Sequence, residues 1–454
     1  MNAYHSFLNE LINENHSTFR KFENLKWINP YQAIEYEEER DELIHSFSEK
    51  VKYEFKDTKP WINQISKGCR LCGEGEWSCL FITGRCNANC FYCPAPQDSD
   101  DLPTAQKLEF EDPRIYADFI NHFGFKGCSF SGGEPLLAFD RALHFLKTIR
   151  ENCSPELYIW MYTNGILASE DKFKALADAG INEVRFDIGA TNYNLKGLKK
   201  AGGIIPNITV EIPAVPEELD RMKELIPQLW EAGVTNLNLH QLRLTQHNVQ
   251  KIADHGYTYL HGEQPAILES ELAALDIIRF VDENNLGIGV NYCNFQYKNR
   301  FQKAGYRSKV ASRVFSENET VTENGFIRKI HVPVDPSVKP DANGFIETPG
   351  LFRTISADDF LKNHQQYSYA VIEYSGIILH NQKNKQPLFE LLNINNEVYP
   401  FERGKPCNPI ILKKEQFPRF IALLKEKGEN IPDEPDLFTL WKHEKIEFGR
   451  RNYF

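Results

Sequence analysis

Cys79-Leu-Phe-Ile-Thr-Gly-Arg-Cys86-Asn-Ala-Asn-Cys90-Phe-Tyr-Cys93 is a short apolar run that breaks into a loop carrying three thiols. Residues 79–86 predict a strand, and Gly84 permits the turn out of it. Cysteines at C-x3-C-x2-C spacing on one loop can hold three irons of a [4Fe–4S] cluster and leave the fourth iron open to a small molecule. The spacing is unusual for zinc, which takes four protein ligands in a structural site. Downstream, GCSFSGGEP (127–135) predicts a second strand ending in Gly132-Gly133-Glu134-Pro135. Further strands are predicted over 156–165, 181–189, 207–215, 236–244 and 287–294, with amphipathic helical segments such as 138–152 and 266–285 between them. Repeated βα units mean parallel strands with right-handed crossovers, hence an α/β fold. A partial barrel of the (β/α)6 type fits best, and periodicity leaves a doubly wound sheet open. In either fold the chemistry sits at the carboxyl ends of the strands.

Composition limits the alternatives. The chain has 454 residues, with 52 Lys plus Arg against 63 Asp plus Glu, a net charge of −11. That balance gives no strong nucleic-acid signal and argues against a chain-wide grip on anionic membrane. Hydrophobic residues at 41% and charged residues at 25% exclude a wholly disordered, collagenous or coiled-coil chain. No apolar stretch reaches the roughly 18 residues of a transmembrane segment. MNAYHSFLNELINENHSTFRKF is polar where a signal peptide would be apolar, so a cytoplasmic location is expected. Six of the ten cysteines lie between Cys69 and Cys93. Crowded thiols in a reducing compartment bind metals or clusters more often than they form disulfides.

Four segments are expected. Residues 1–65 read as a helical N-terminal extension, with Ile44, Phe47 and Val51 on one face of a helix over 35–55. Residues 66–300 read as the partial barrel with an upstream cysteine knuckle. Residues 301–350 read as a basic segment and linker, and 351–454 as a small α+β domain. The basic run 298–313 suits either a phosphate or acidic peptide, or a solvated helix face, which the charge pattern favours.

The thiol loop, the aromatic Tyr92 before its last cysteine, and Gly132-Gly133-Glu134-Pro135 at the next strand end together resemble the radical S-adenosylmethionine (radical SAM) superfamily. More narrowly, residues 68–94 and 291–302 are similar to a poorly characterised group related to pyruvate formate-lyase activating enzymes. The resemblance implies a [4Fe–4S] cluster on Cys86, Cys90 and Cys93, with S-adenosylmethionine on its open iron. One electron, from a donor such as flavodoxin or ferredoxin, then yields a 5′-deoxyadenosyl radical that abstracts hydrogen from an unidentified substrate. The substrate classes are a peptide, an RNA-derived molecule or a small molecule. Alternatives are an activase that generates a radical on a partner protein, and a non-catalytic iron–sulfur protein. The Gly132–Pro135 strand end is implied to meet the cofactor's amino group, with Glu134 steadying it or the loop. Tyr92, Thr163, Asn164, Asp187, Glu211 and Asn238 are the further cofactor-binding candidates. Phe81, Phe91 and Tyr92 are expected to shelter the loop from water.

Several residues keep two readings. Arg185 meets either a substrate carboxylate or an internal salt-bridge layer. His240 is a substrate contact or a core histidine. Cys69-x2-Cys72, with Cys79 and Cys293, forms a structural zinc or iron site, an auxiliary Fe–S cluster, or a set of buried thiols. Cys128 reads as core.

Overall fold

The computed structural model describes residues 2–99, 101–341, 350–380, 391–394, 397–404 and 407–454. Two compact units emerge: Leu8–Lys298 with Gly449–Phe454, and Met1–Phe7 with Asn299–Phe448.

The N-terminal segment is helical only in part. Helices α1 (Ala3–Thr18) and α2 (Pro30–His45) are present, the latter opened by a capping box between Asn29 and Gln32. The helix expected over 35–55 stops at His45 because Ser48 turns away, giving its N–H and hydroxyl to the Asp282 carboxylate at 2.7 and 2.6 Å. The chain then forms a hairpin, β1 (Lys52–Glu54) and β2 (Lys59–Ile62), through Phe55, Lys56 and Asp57, all at positive φ. Tyr53 and Trp61 favour that pleated surface over a helix.

After a short helix α3 (Lys67–Gly73) come β3 (Trp77–Arg85), α4 (Pro113–Phe123), β4 (Gly127–Gly132), α5 (Phe139–Asn152), β5 (Tyr158–Thr163), α6 (Glu170–Asp178) and β6 (Glu183–Phe186). They are followed by β7 (Ile208–Pro213), α7 (Leu219–Glu231), β8 (Val234–His240), α8 (Leu268–Glu283) and β9 (Gly289–Cys293). Among the described residues, the seven strands β3 to β9 pair in sequence order, each parallel to the next. The β2 strand adds antiparallel to β9 and carries β1 outside it. Beyond β3 lie the antiparallel two-residue strands Thr104–Ala105 and Leu108–Glu109. The result is an α/β architecture with a large mixed sheet of twelve strands flanked by helices. Ile159, Trp160 and Met161, consecutive in β5, are all fully buried, as expected where both faces of a parallel sheet are covered.

The second unit is built on an antiparallel sheet of β10 (Glu319–Val321), β11 (Ile327–Pro333), β12 (Phe352–Ile355), β13 (Tyr369–Ser375) and β14 (Ile410–Lys413). Helices α9 (Phe417–Lys425) and α10 (Pro435–Glu444) share its core through Phe417, Phe420, Leu440, Ile330 and Ile372. The stretch read as a linker is therefore largely structured up to Pro333, and part of it, 342–349, lies outside the described residues. No helix among the described residues is long and apolar enough to cross a membrane.

Candidate functional site

The carboxyl ends of the parallel strands bring most of the sequence-predicted residues to one side of the sheet. The loop after β3 is closed at its base, where the Cys86 N–H donates to the Gln97 carbonyl at 3.0 Å and Gly84 pairs with Ser99. A Cβ on Gly84 would lie 1.9 Å from Ser99 Oγ, so glycine is what allows this closure. Cys86, Cys90 and Cys93 are all half-buried on this loop. The Cys86 sulfur accepts from the Ala88 N–H at 3.4 Å and from Asn164 Nδ2 at 3.7 Å. Burial pushes the Cys90 thiol up to about 12 and raises that of Cys86. Phe91 packs face to face on His255, whereas Phe81, expected to shelter the loop, is 52% exposed.

The end of β4 is threaded into the end of β3. Gly133 N–H donates to the Thr83 carbonyl at 2.7 Å, and Glu134 N–H to the Arg85 carbonyl at 2.8 Å. Side chains at Gly132 or Gly133 would come within 2.3 and 2.1 Å of those same carbonyl oxygens. Glu134 is fully buried and pins the loops: it accepts from Leu136 N–H (2.9 Å), Thr163 Oγ1 (2.8 Å) and Asn164 N–H (2.6 Å). Burial raises its pKa despite these donors. Asn164 in turn reaches Asn87 at 2.7 Å. Three strand ends, β3, β4 and β5, are thus locked together by one carboxylate and one amide.

Asp187 follows β6 and accepts a hydrogen bond from the Tyr92 hydroxyl at 2.8 Å. Gly189 makes room for it, since a Cβ there would stand 2.5 Å from that hydroxyl oxygen. Burial raises Asp187 to about 6.

Deeper among the strands lies a polar layer. The buried Arg185 holds Glu183 through Nε at 2.9 Å and Nη2 at 3.2 Å, and Glu211 through Nη1 at 2.7 Å. Ser66 accepts from Nη2 at 3.0 Å, and Arg185 lies over the Trp160 ring. Asn238 donates to Glu211 at 3.0 Å and accepts from Asn291. Arg185, Glu211 and Asn238 are thereby engaged with one another. His240 is pushed down to about 3, by burial first and by the charge of Lys298 second, and stays neutral.

Of the four cysteines Cys69, Cys72, Cys79 and Cys293, three come near one another and Cys79 stands apart. Cys69, Cys72 and Cys293 share the electrostatic neighbourhood of Lys59, a fully buried lysine whose Nζ lies 2.5 Å from Cys293 Sγ. Cys79 instead bonds Ser129 and Ser131, and burial pushes it up to about 12. An ammonium thus already occupies a place at one of the four thiols. Cys128 is fully buried core. Among the described residues no group of three or more His, Cys, Asp or Glu side chains stands in metal-binding geometry. The thiol loop nonetheless fits an Fe–S cluster in its chemistry: three thiols on one short loop, within electrostatic reach of one another, beside a glycine cradle that any Cβ would fill.

Sequence reasoning missed Lys59, Asn87, Gly189 and Arg243. Lys59 and Cys293 are 234 residues apart, and no local pattern couples them. The basic run 298–313 is not one solvated face: Lys298 is half-buried, Arg300 is buried against Glu447, and Arg307 bonds Asn324.

Residues 80–226 match the family model described as the Radical SAM superfamily. The match begins on β3 and takes in the thiol loop and Gly132–Pro135. A protein of Methanocaldococcus jannaschii, named provisionally as a glycyl-radical enzyme activating enzyme, is 27% identical over 287 residues, 58% of this chain and 72% of that protein. A GTP 3′,8-cyclase of Desulforamulus reducens is 30% identical over 113 residues, 25% of this chain and 34% of the cyclase. The chain therefore spans only about a third of that cyclase. The solved structure of a methylornithine synthase aligns with a TM-score of 0.34 and 10% identity over 55% of this chain and 81% of the other, too little to bear on function.

Proposed function

We infer that this chain, with a radical SAM superfamily domain at residues 80–226, is a radical SAM enzyme whose substrate is still to be identified. A bound [4Fe–4S] cluster, once reduced, supplies the electron that cleaves S-adenosylmethionine to methionine and a 5′-deoxyadenosyl radical, which takes hydrogen from the substrate. Cys86, Cys90 and Cys93 hold that cluster in this reading. Gly132–Pro135 offers backbone carbonyls to the cofactor's ammonium group, with Glu134 serving the loop rather than the ligand. Thr163 and Asn164 order the neighbouring strand end. The Tyr92–Asp187 pair is the proposed ribose or adenine contact in this reading. Glu211 and Asn238 contribute from the side, through the Arg185 layer. The parallel strands β3 to β9 act as the partial barrel that orients these groups, and flavodoxin or ferredoxin is the proposed electron source.

The observation that carries this reading is the threading of β4 into β3. Through Gly133 and Glu134 it fixes the glycine strand end against the base of the thiol loop. The test is anaerobic purification, reduction, addition of S-adenosylmethionine and assay of 5′-deoxyadenosine. Cys90→Ala is expected to lose at least about a hundredfold of the cleavage. Wild-type-like cleavage by that variant would sink the ligand assignment.

A second reading, an activase that places a radical on a partner protein, is favoured by the match to the Methanocaldococcus jannaschii protein. Electron paramagnetic resonance on any glycyl-radical enzyme that proves to be encoded beside this gene, incubated with the reduced protein and cofactor, tests it. The glycyl doublet is the supporting result, and its absence from an active preparation removes the activase.

A further inference from the structure

We propose that Arg243 and Lys298, both set against the ring of Phe295 beyond the ends of β8 and β9, bind an anionic group, carboxylate or phosphate, of the substrate. The proposal rests on the radical SAM reading for the word substrate; the anion site itself rests on geometry.

Arg243 Cζ lies 5.5 Å and Lys298 Nζ 5.0 Å from the centroid of the same Phe295 ring. The ring is buried, with 7% exposure. One aromatic face system attracts each cation, but it leaves two like charges close together in a region of reduced dielectric. Neither side chain donates a hydrogen bond to any described residue, and together they carry eight N–H groups in need of acceptors. Burial lowers Lys298, and the groups that act against this are the Cys293 thiol, which lies 2.5 Å from Lys59 Nζ, and then Glu211, which already accepts from Arg185 at 2.7 Å and Asn238 at 3.0 Å. For Arg243 the charge of note is the Cys93 thiol of the cluster loop. His240, which sits close enough for both cations to act on it, is neutral and cancels nothing.

The charge count points the same way. Of the four cations Lys59, Arg185, Arg243 and Lys298, Lys59 stands 2.5 Å from Cys293 Sγ and Arg185 is held by Glu183 and Glu211, whereas Arg243 and Lys298 have no hydrogen-bonded partner for their side chains among the described residues. Arg185 neutralises one of these carboxylates and shares the other. A bound anion would supply the acceptors that Arg243 and Lys298 lack. The fork of Arg243 and the point charge of Lys298 together suit either a carboxylate or a phosphate. The place of Arg243 near Cys93 would set the bound group beside the cluster loop, with the rest of the molecule free to extend toward the strand ends.

Titration calorimetry on the anaerobically reconstituted full chain tests the site, using inorganic phosphate and malonate as separate probes. One probe is expected to bind at one equivalent. Arg243→Gln and Lys298→Gln should each weaken it by about tenfold or more, and Lys298→Arg should keep it within about threefold of wild type. Tighter binding of phosphate points to a phosphorylated substrate, tighter malonate to a carboxylic acid. If a Gln variant fails to fold, Lys298→Met retains the apolar stem on Phe295 and supplies the same loss. No binding of either probe, or equal binding by wild type and charge-removed variants, overturns the proposal. So does displacement of the anion from wild type by saturating S-adenosylmethionine, which would give the pair to the cofactor. A wild-type protein that binds the anion but forms no 5′-deoxyadenosine leaves the anion site standing and removes the radical reading instead.

Discussion

At Gly133 a single missing carbon decides whether two strand ends can meet. The position of its absent Cβ is 2.1 Å from the Arg85 carbonyl oxygen and 2.9 Å from that of Gly84. Backbone cannot yield as a flexible side chain can, so Gly133→Ala must push β4 away from the thiol loop. We expect the variant to fold and to bind S-adenosylmethionine at least about tenfold more weakly, as read by calorimetry on the reconstituted protein. Unchanged affinity would mean that this strand end does not touch the cofactor. The glycine pair was legible in the sequence because glycine weakens a strand, so two in a row before Glu and Pro mark a strand end where backbone must come close to something. Lys59 was not legible: it is one lysine in a charged segment, and only the return of the chain at Cys293 gives it a role.

Among the elements, β6 and β7 are joined by charge as well as by backbone. Arg185 reaches Glu183 on its own strand, Glu211 on the next, and Ser66 at the start of α3. Gly68 in α3 leaves the space, since a Cβ there would lie 2.3 Å from Arg185 Nη2. Replacing the arginine alone leaves the buried Glu183 charge with only neutral partners such as the Thr209 hydroxyl at 2.6 Å, and leaves Glu211 with the Asn238 amide. Arg185→Met should cost about 3–5 kcal/mol in urea unfolding, because the loss is that of an unpaired buried charge rather than of one hydrogen bond. A cost under about 1 kcal/mol would show that water reaches the layer. The alternating strands and helices from Cys79 onward were readable from apolar periodicity. The hairpin β1–β2 was not, because EYEEER ahead of it continues a helical pattern and the break at Ser48 depends on a carboxylate 234 residues away. The internal salt-bridge reading of Arg185 could be stated from alternation but not chosen, since strand pairing decides which carboxylates it meets.

Across the whole molecule, the two units carry separate electrostatic anchors, and the sharpest one in the second unit is Glu319. Burial works against its charge, yet Arg403 at 2.5 and 3.0 Å, the Ser316 N–H and Lys329 outweigh it and hold the carboxyl down at about 2. A depressed carboxyl stabilises the fold above its ordinary range near pH 4.5, and that stability is lost as pH falls toward 2. Glu319→Gln is therefore expected to lose about 2 kcal/mol at pH 7, with the gap from wild type closing steadily below pH 4.5. Chemical denaturation across that range measures it, and a pH-independent gap would assign the effect to packing.

The two ends of the large sheet have a consequence for company. Its outermost strands are β1, three residues long, and Leu108–Glu109, two residues long, and they carry Lys52, Glu54 and Glu109. Strands that brief and that charged give a second chain almost no ladder to extend. The large sheet is consequently poorly suited to seeding stacked assemblies, and another polypeptide that recognises it must do so through side chains and loops, by shape and charge, rather than by donating a strand.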